Sequence, residues 1–134
     1  MPARDFFDTN VLIYAVAKND GRSSKAEELL AAGGIVSVQS LNEFVAVARR
    51  KLNMSWKETR EFLDVISILC PDPVAISVEI HRTALVVAEK YGYSIYDSLI
   101  IAAALESGCQ TLYSEDLQTG QVVSRQLTIK NPFL

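Results

Sequence analysis

The sequence predicts a three-layer α/β/α sandwich on a parallel sheet. Two observations predict it. Short apolar, β-branched segments alternate along the chain with longer stretches of helical apolar spacing, the pattern of a parallel sheet covered by helices on both faces. The chain has 134 residues and shows no repeat, low-complexity tract or linker, so one domain over 1–134 with a single sandwich is expected.

Residues 4–8 read as the first strand and 10–17 as a helix, stopped by Lys18, Asn19, Asp20 and Gly21. Ser24-Lys25-Ala26-Glu27 has capping-box spacing and predicts a second helix to residue 32, with Gly33-Gly34 as its left-handed end. Residues 35–38 read as the second strand. Ser40-Leu41-Asn42-Glu43 has the same box spacing and opens a third helix, whose apolar face is Leu41, Phe44, Val45, Ala48 and Leu52. Ser55-Trp56-Lys57-Glu58 caps a fourth, with Phe62, Leu63, Ile66 and Leu69 inward, and Pro71 and Pro73 break it. Residues 74–76 read as the third strand. Ser77 starts a helix that ends at Tyr91-Gly92, and Ser94-Ile95-Tyr96-Asp97 opens the most apolar helix, ended by Gly108. Residues 111–113 are the fourth strand, 115–120 a polar loop and 127–130 the fifth strand, stopped by Pro132.

Apolar residues make up 49% and charged residues 22%, ordinary for a soluble globular protein, and no apolar run approaches the ~20 residues that span a membrane. No signal-peptide pattern opens the chain, so a cytoplasmic location is expected, and Cys70 and Cys109 read as buried thiols. The net charge of −3 argues against a protein that grips nucleic acid with its whole surface, though not against an acidic site beside a local basic patch. His81 is the only histidine and has no GxSxG elbow to serve; Walker A and GxGxxG loops are missing too.

Four acids stand out by position. Asp8 ends the first strand, Glu43 follows the second by a few residues, Asp116 follows the fourth, and Asp97 begins a helix beside it. In an open parallel sheet the strand C-termini share one edge, where ligands bind near the point at which strand order reverses. Each acid also has a local structural use open to it: Asp8 as an N-cap, Glu43 and Asp97 as the fourth residue of capping boxes, Asp116 as a turn residue. If they converge, their repulsion is eased by helix N-termini and far more by a divalent cation. All-oxygen ligands suit Mg²⁺ or Mn²⁺ rather than Zn²⁺. Thr9, Asn10 and Ser114 are candidates to orient the carboxylates, or are plain turn and capping residues.

Phe7-Asp8-Thr9-Asn10-Val11-Leu12, Ser40-Leu41-Asn42-Glu43-Phe44, the block from Tyr96-Asp97-Ser98-Leu99 to Ala104, and Tyr113-Ser114-Glu115-Asp116-Leu117 together resemble the PIN-domain family over nearly the whole chain. More narrowly, the chain resembles a VapC-type toxin of a type II toxin–antitoxin pair. The resemblance implies a five-stranded parallel sheet of order 3-2-1-4-5 and a Mg²⁺- or Mn²⁺-dependent endoribonuclease. Asp8, Glu43, Asp97 and Asp116 carry over as its catalytic acids, with Asp8, Asp97 and Asp116 holding one or two metal ions and Glu43 a ligand or a partner through water. A metal-activated water then hydrolyses the RNA phosphodiester, leaving 5′-phosphate and 3′-hydroxyl ends. A homodimer and a VapB-type antitoxin, its tail wrapped over the groove and the active site, are the partners implied.

Arg49, Arg50 and Lys51, with Lys57 and Arg60, form the densest basic group and are candidate RNA phosphate contacts, or solvated helix ends. Tyr14, Phe44 and Trp56 are candidates to line an antitoxin groove, with burial in the chain's own core as the alternative. Two rivals fail on particular residues. A receiver-like phosphoacceptor needs an acid after the third strand, where Ser77 stands, and a haloacid-dehalogenase-type phosphatase needs Asp-x-Asp, where Asp8-Thr9-Asn10 stands. A catalytically silent interaction module with the same fold stays open.

Overall fold

The computed structural model describes residues 5–17 and 21–134. Arg4, expected to open the first strand, and Lys18, Asn19 and Asp20, expected to stop the first helix, lie outside the described residues. The elements are β1 (Asp5–Phe7), α1 (Thr9–Val16), α2 (Arg22–Ala31), α3 (Val38–Arg50), α4 (Trp56–Leu69), α5 (Val78–Tyr91), α6 (Ile95–Glu106), β2 (Thr111–Tyr113), β3 (Val122–Val123) and β4 (Leu127–Lys130). Among the described residues this is an α/β fold of six helices and a four-stranded, mostly parallel sheet.

The sheet order is β1-β2-β4-β3. β1 pairs parallel with β2 and β2 with β4, whereas β3 runs antiparallel to β4 at the edge. This corrects the expected five parallel strands. The segments expected as strands two and three are reduced to isolated parallel bridges, Phe6 with Ile35 and Ser37 with Val74. Helix starts cut them short: Ser37 already caps α3 and Ser77 caps α5. They still hold the expected places in the order, because Phe7 N–H bonds to the Ile35 carbonyl at 3.0 Å and Val74 N–H to the Val36 carbonyl at 2.9 Å. Two-residue β3 gave no periodic signal for a sequence reading to find.

Consecutive strand residues point to opposite faces. Phe6 enters the core formed with α5, α6, Leu112 and Ile129, and Phe7 enters the core formed with α1 to α4. α6 belongs to the first of these cores and is buried almost all round from Ile100 to Ala104. Phe44 is fully buried at 0% exposure, so it belongs to the core and lines no surface groove. Gly34 is needed where the chain crosses β1, since a Cβ there would lie 2.5 Å from Phe7 Cε2 and 2.7 Å from the Asp5 carbonyl oxygen. Both cysteines are buried, and burial pushes the Cys70 thiol up to about 11.

The expected capping boxes divide. Ser55 and Glu58 form one at α4. α2 instead opens two residues before Ser24, with Gly21 as N-cap and no side-chain cap. α3 is capped by Ser37, whose hydroxyl accepts the Ser40 N–H at 3.1 Å. Glu43 therefore lies inside α3, beyond its first turn, and its carboxylate is not used in capping.

Candidate active site

β1 delivers Asp8 to the carboxyl edge of the sheet, and the Asp8 N–H continues the strand pairing to the Tyr113 carbonyl at 3.0 Å. The next residue starts α1, so Asp8 is its N-cap; Oδ1 accepts the Thr9 N–H at 2.6 Å. Oδ2 accepts the Ser114 hydroxyl at 2.7 Å. Ser114 follows β2 directly and is itself buried. Its oxygen also accepts the N–H groups of Asp116 at 3.2 Å and Leu117 at 3.3 Å, which curls the loop after β2 toward Asp8. The Asn10 amide lies between the two acids, 3.4 Å from Asp8 Oδ2 and 3.4 Å from Asp116 Oδ2.

Glu43 arrives from α3. Its Oε1 accepts the Thr9 hydroxyl at 2.7 Å and its Oε2 the Gln39 amide at 2.8 Å. Gln39 lies one turn before Glu43 on the same helix face and had no signal in the sequence beyond that spacing. Asp97 is in the first turn of α6, where its N–H donates to Ser94 Oγ at 3.1 Å. Thr9, Asn10 and Ser114, the three expected orienting residues, thus all touch one of the acids.

Electrostatics joins what the hydrogen bonds do not. Asp8 is only 3% exposed. Burial pushes its carboxyl up from 3.8 to about 6; hydrogen bonds from Ser114 and Thr9 oppose this, and the charges of Asp97 and Glu43 add to it. Asp97 is raised too, by burial first and then by Glu43 and Asp116. Asp8 thus feels Asp97 and Glu43, and Asp97 feels Glu43 and Asp116. Among the described residues no three ligand-type side chains are already closed around one cation position. Like charges repel, and here Thr9, Gln39 and Ser114 hold the carboxylates through hydrogen bonds. The donor set nonetheless fits Mg²⁺ or Mn²⁺: only oxygens, one of the carboxylates buried, and mutual repulsion that a divalent cation would relieve.

The basic group lies further along α3. Arg49 is engaged locally. Its Nη1 donates to the Met54 carbonyl at 2.7 Å, and its guanidinium carbon sits 4.4 Å from the centre of the Trp56 ring. Arg50 and Lys51 are exposed. Arg50 is seven residues after Glu43, so it shares that face of α3 about 10 Å along the axis. Tyr14 does not simply fill the core, since its hydroxyl donates to Glu115.

The PIN domain model matches residues 6–122. The chain belongs to the PIN-domain family. PIN domains are typically nucleases and generally use Mg²⁺. No curated protein is significantly similar in sequence. Solved structures similar to this PIN domain include VapC toxins of VapBC toxin–antitoxin systems. A toxin–antitoxin complex from Klebsiella pneumoniae matches with a TM-score of 0.71 at 17% identity, covering 96% of this chain and 97% of that one. VapBC2 from Rickettsia felis, bound to a DNA fragment from its promoter, matches with a TM-score of 0.67 at 20% identity, covering 95% and 97%. VapC20 from Mycobacterium tuberculosis, a sarcin–ricin-loop-cleaving toxin, matches with a TM-score of 0.64 at 20% identity, covering 84% and 89%. These likenesses establish the fold. Among the described residues no helix is long and apolar enough to cross a membrane.

Proposed function

We propose that this PIN domain is a Mg²⁺- or Mn²⁺-dependent endoribonuclease, the VapC-type toxin of a toxin–antitoxin pair. The observation that carries the reading is the coupling of four acids from four separate segments at one edge of the sheet, with the innermost, Asp8, buried and pushed up to about 6. Structural acids are placed to be neutralised; these are placed to repel one another.

Asp8, Asp97 and Asp116 would hold the metal, with Glu43 as a ligand or a partner through water. When bound, the cation supplies Lewis-acid stabilisation of charge at phosphorus and lowers the pKa of water. The chain's own part is placement. Ser114 aims Asp8 and shapes the Asp116 loop, Thr9 and Gln39 aim Glu43, and Asn10 spans Asp8 and Asp116. Arg50 and Lys51, with Lys57 and Arg60, are the candidate phosphate contacts, and Arg49 beside them packs its guanidinium on Trp56.

The likeness to neighbours solved as toxin–antitoxin complexes supports an antitoxin as partner. A second copy of this chain is proposed from the family resemblance alone. A cleft of about 370 Å³ between α1, α2 and α4, lined by Val16, Leu30, Phe62 and Leu69 among others, offers an antitoxin segment an apolar seat.

Cleavage of a panel of small structured RNAs by the purified protein and by Asp97→Asn, with Mn²⁺, Mg²⁺ or chelator, tests the reading. Metal-dependent cutting by the wild type alone, leaving 5′-phosphates, is expected. Metal binding with no cutting of any RNA in a broad pool would favour the silent module.

A further inference from the structure

Glu115 stands beside Asp116, and its carboxylate is held by two helices. The Tyr14 hydroxyl of α1 donates to Oε2, and Arg22 at the start of α2 donates from Nε to Oε1 at 2.8 Å. The Arg22 guanidinium carbon lies 5.2 Å from the centre of the Tyr14 ring, whose edge packs on Phe133 with centroids 5.0 Å apart. The Glu115 N–H donates to Asn10 Oδ1 at 3.2 Å. Asn10 is the residue whose amide faces Asp8 and Asp116.

We infer that Glu115 is a positioning residue for the metal site: Tyr14 and Arg22 hold its carboxylate so that it fixes the backbone carrying Asp116 and is kept from becoming a ligand itself. The inference rests on the proposed metal site. Asp116 is exposed, and its side chain receives one long hydrogen bond, so its aim depends on the backbone at 114–117. Ser114 holds that backbone from the core side, through the N–H groups of Asp116 and Leu117. The Glu115 clamp holds it from the outer side. The clamp also acts electrostatically. A fifth carboxylate beside four coupled acids adds to their repulsion unless a cation offsets it, and Arg22 supplies that cation at contact distance. The neighbouring acids Glu115 and Asp116 are alike in sequence, and the structure separates them by what holds each one.

Mn²⁺ affinity, read from the electron paramagnetic resonance signal of unbound Mn²⁺ well below the melting temperature, tests this. The proteins are wild type, Glu115→Ala, Glu115→Gln, Tyr14→Phe, the double variant Tyr14→Phe with Glu115→Ala, and Asp116→Asn. A group that orients ligands typically changes metal affinity by about 10- to 100-fold when removed, and that loss is expected for Glu115→Ala. Glu115→Gln keeps an acceptor for Tyr14 or Arg22 and should recover much of it. Tyr14→Phe should weaken binding alone and add nothing in the Glu115→Ala background. If Glu115→Gln loses as much as Glu115→Ala, Glu115 is a ligand and the inference is wrong. It is equally wrong if Glu115→Ala binds like wild type while Asp116→Asn does not, an outcome that leaves the metal site standing. Wild-type binding by Asp116→Asn would overturn the metal site itself. Should Glu115→Ala not fold, Tyr14→Phe carries the test, since it deletes one oxygen and keeps the ring packing.

Discussion

Asp8→Asn should make the metal-free protein more stable at neutral pH, although it removes a residue of the proposed active site. The rise of the Asp8 carboxyl from 3.8 to about 6 means that its ionised form costs the fold about 3 kcal/mol relative to the unfolded chain. The sign follows from proton binding. Below pH 3.8 Asp8 is protonated in both states and costs nothing. As pH rises, the unfolded chain releases the proton first, so stability falls until the folded carboxyl ionises near 6, and the full cost persists above that. Asparagine never carries the charge. It does present an amide donor where Ser114 now donates to Oδ2, which forfeits about 1 kcal/mol of hydrogen bonding. The net gain at pH 7.5 is about 2 kcal/mol, or about 7 °C in Tm for a chain of this size. It should vanish near pH 4.5, where the cost to the wild type has dropped to about 1 kcal/mol. Urea and thermal unfolding in chelator from pH 4.5 to 7.5, with circular dichroism confirming the same fold, measures this. Adding Mn²⁺ should reverse the order, because only the wild type gains strongly from the ion. A variant less stable than wild type at pH 7.5 in chelator, or an advantage that does not shrink with acid, would refute the reasoning.

Other residues give independent checks. Ser114→Ala leaves the buried Asp8 Oδ2 with only the long Asn10 contact and removes the acceptor for the N–H groups of Asp116 and Leu117, and should cost about 1–3 kcal/mol in urea unfolding. Glu43→Gln keeps an acceptor for Thr9 but deletes a charge felt by both Asp8 and Asp97, so both carboxyls should titrate lower in a carbon-detected NMR titration of the metal-free protein. Unchanged titration would show that Glu43 is not electrostatically coupled to them. Gly34→Ala should destabilise by about 1–3 kcal/mol, because the new Cβ meets the Asp5 backbone as well as the Phe7 ring; a neutral effect in thermal melts would contradict that packing.

Much of this was legible in the sequence where local pattern and tertiary demand agree. Phe6-Phe7-Asp8 reads as a strand ending in an acid because both sheet faces need an apolar residue there. Ser55-Glu58 and Ser77-Gly92 mark their helices for the same reason. Ser40 misled because Ser37 offers an equal hydroxyl three residues earlier, and the bridge from Ser37 to Val74 decided between them. That correction strengthens the site, since it releases Glu43 from capping. Segments 35–38 and 74–76 have strand composition but lie against helix starts, which leaves room for single bridges only. The Tyr14–Glu115–Arg22 clamp has no local signature at all, because its parts meet only in the fold. The packing of Arg49 on Trp56 is equally invisible in sequence, where only the charge cluster shows.

The most direct measurement is the anomalous scattering of Mn²⁺ in crystals of this protein. A manganese peak within coordination distance of carboxylate oxygens from Asp8, Asp97 and Asp116, lost in crystals of Asp97→Asn, is expected. A peak placed elsewhere, or none at saturating Mn²⁺, would contradict a metal centre built from these acids.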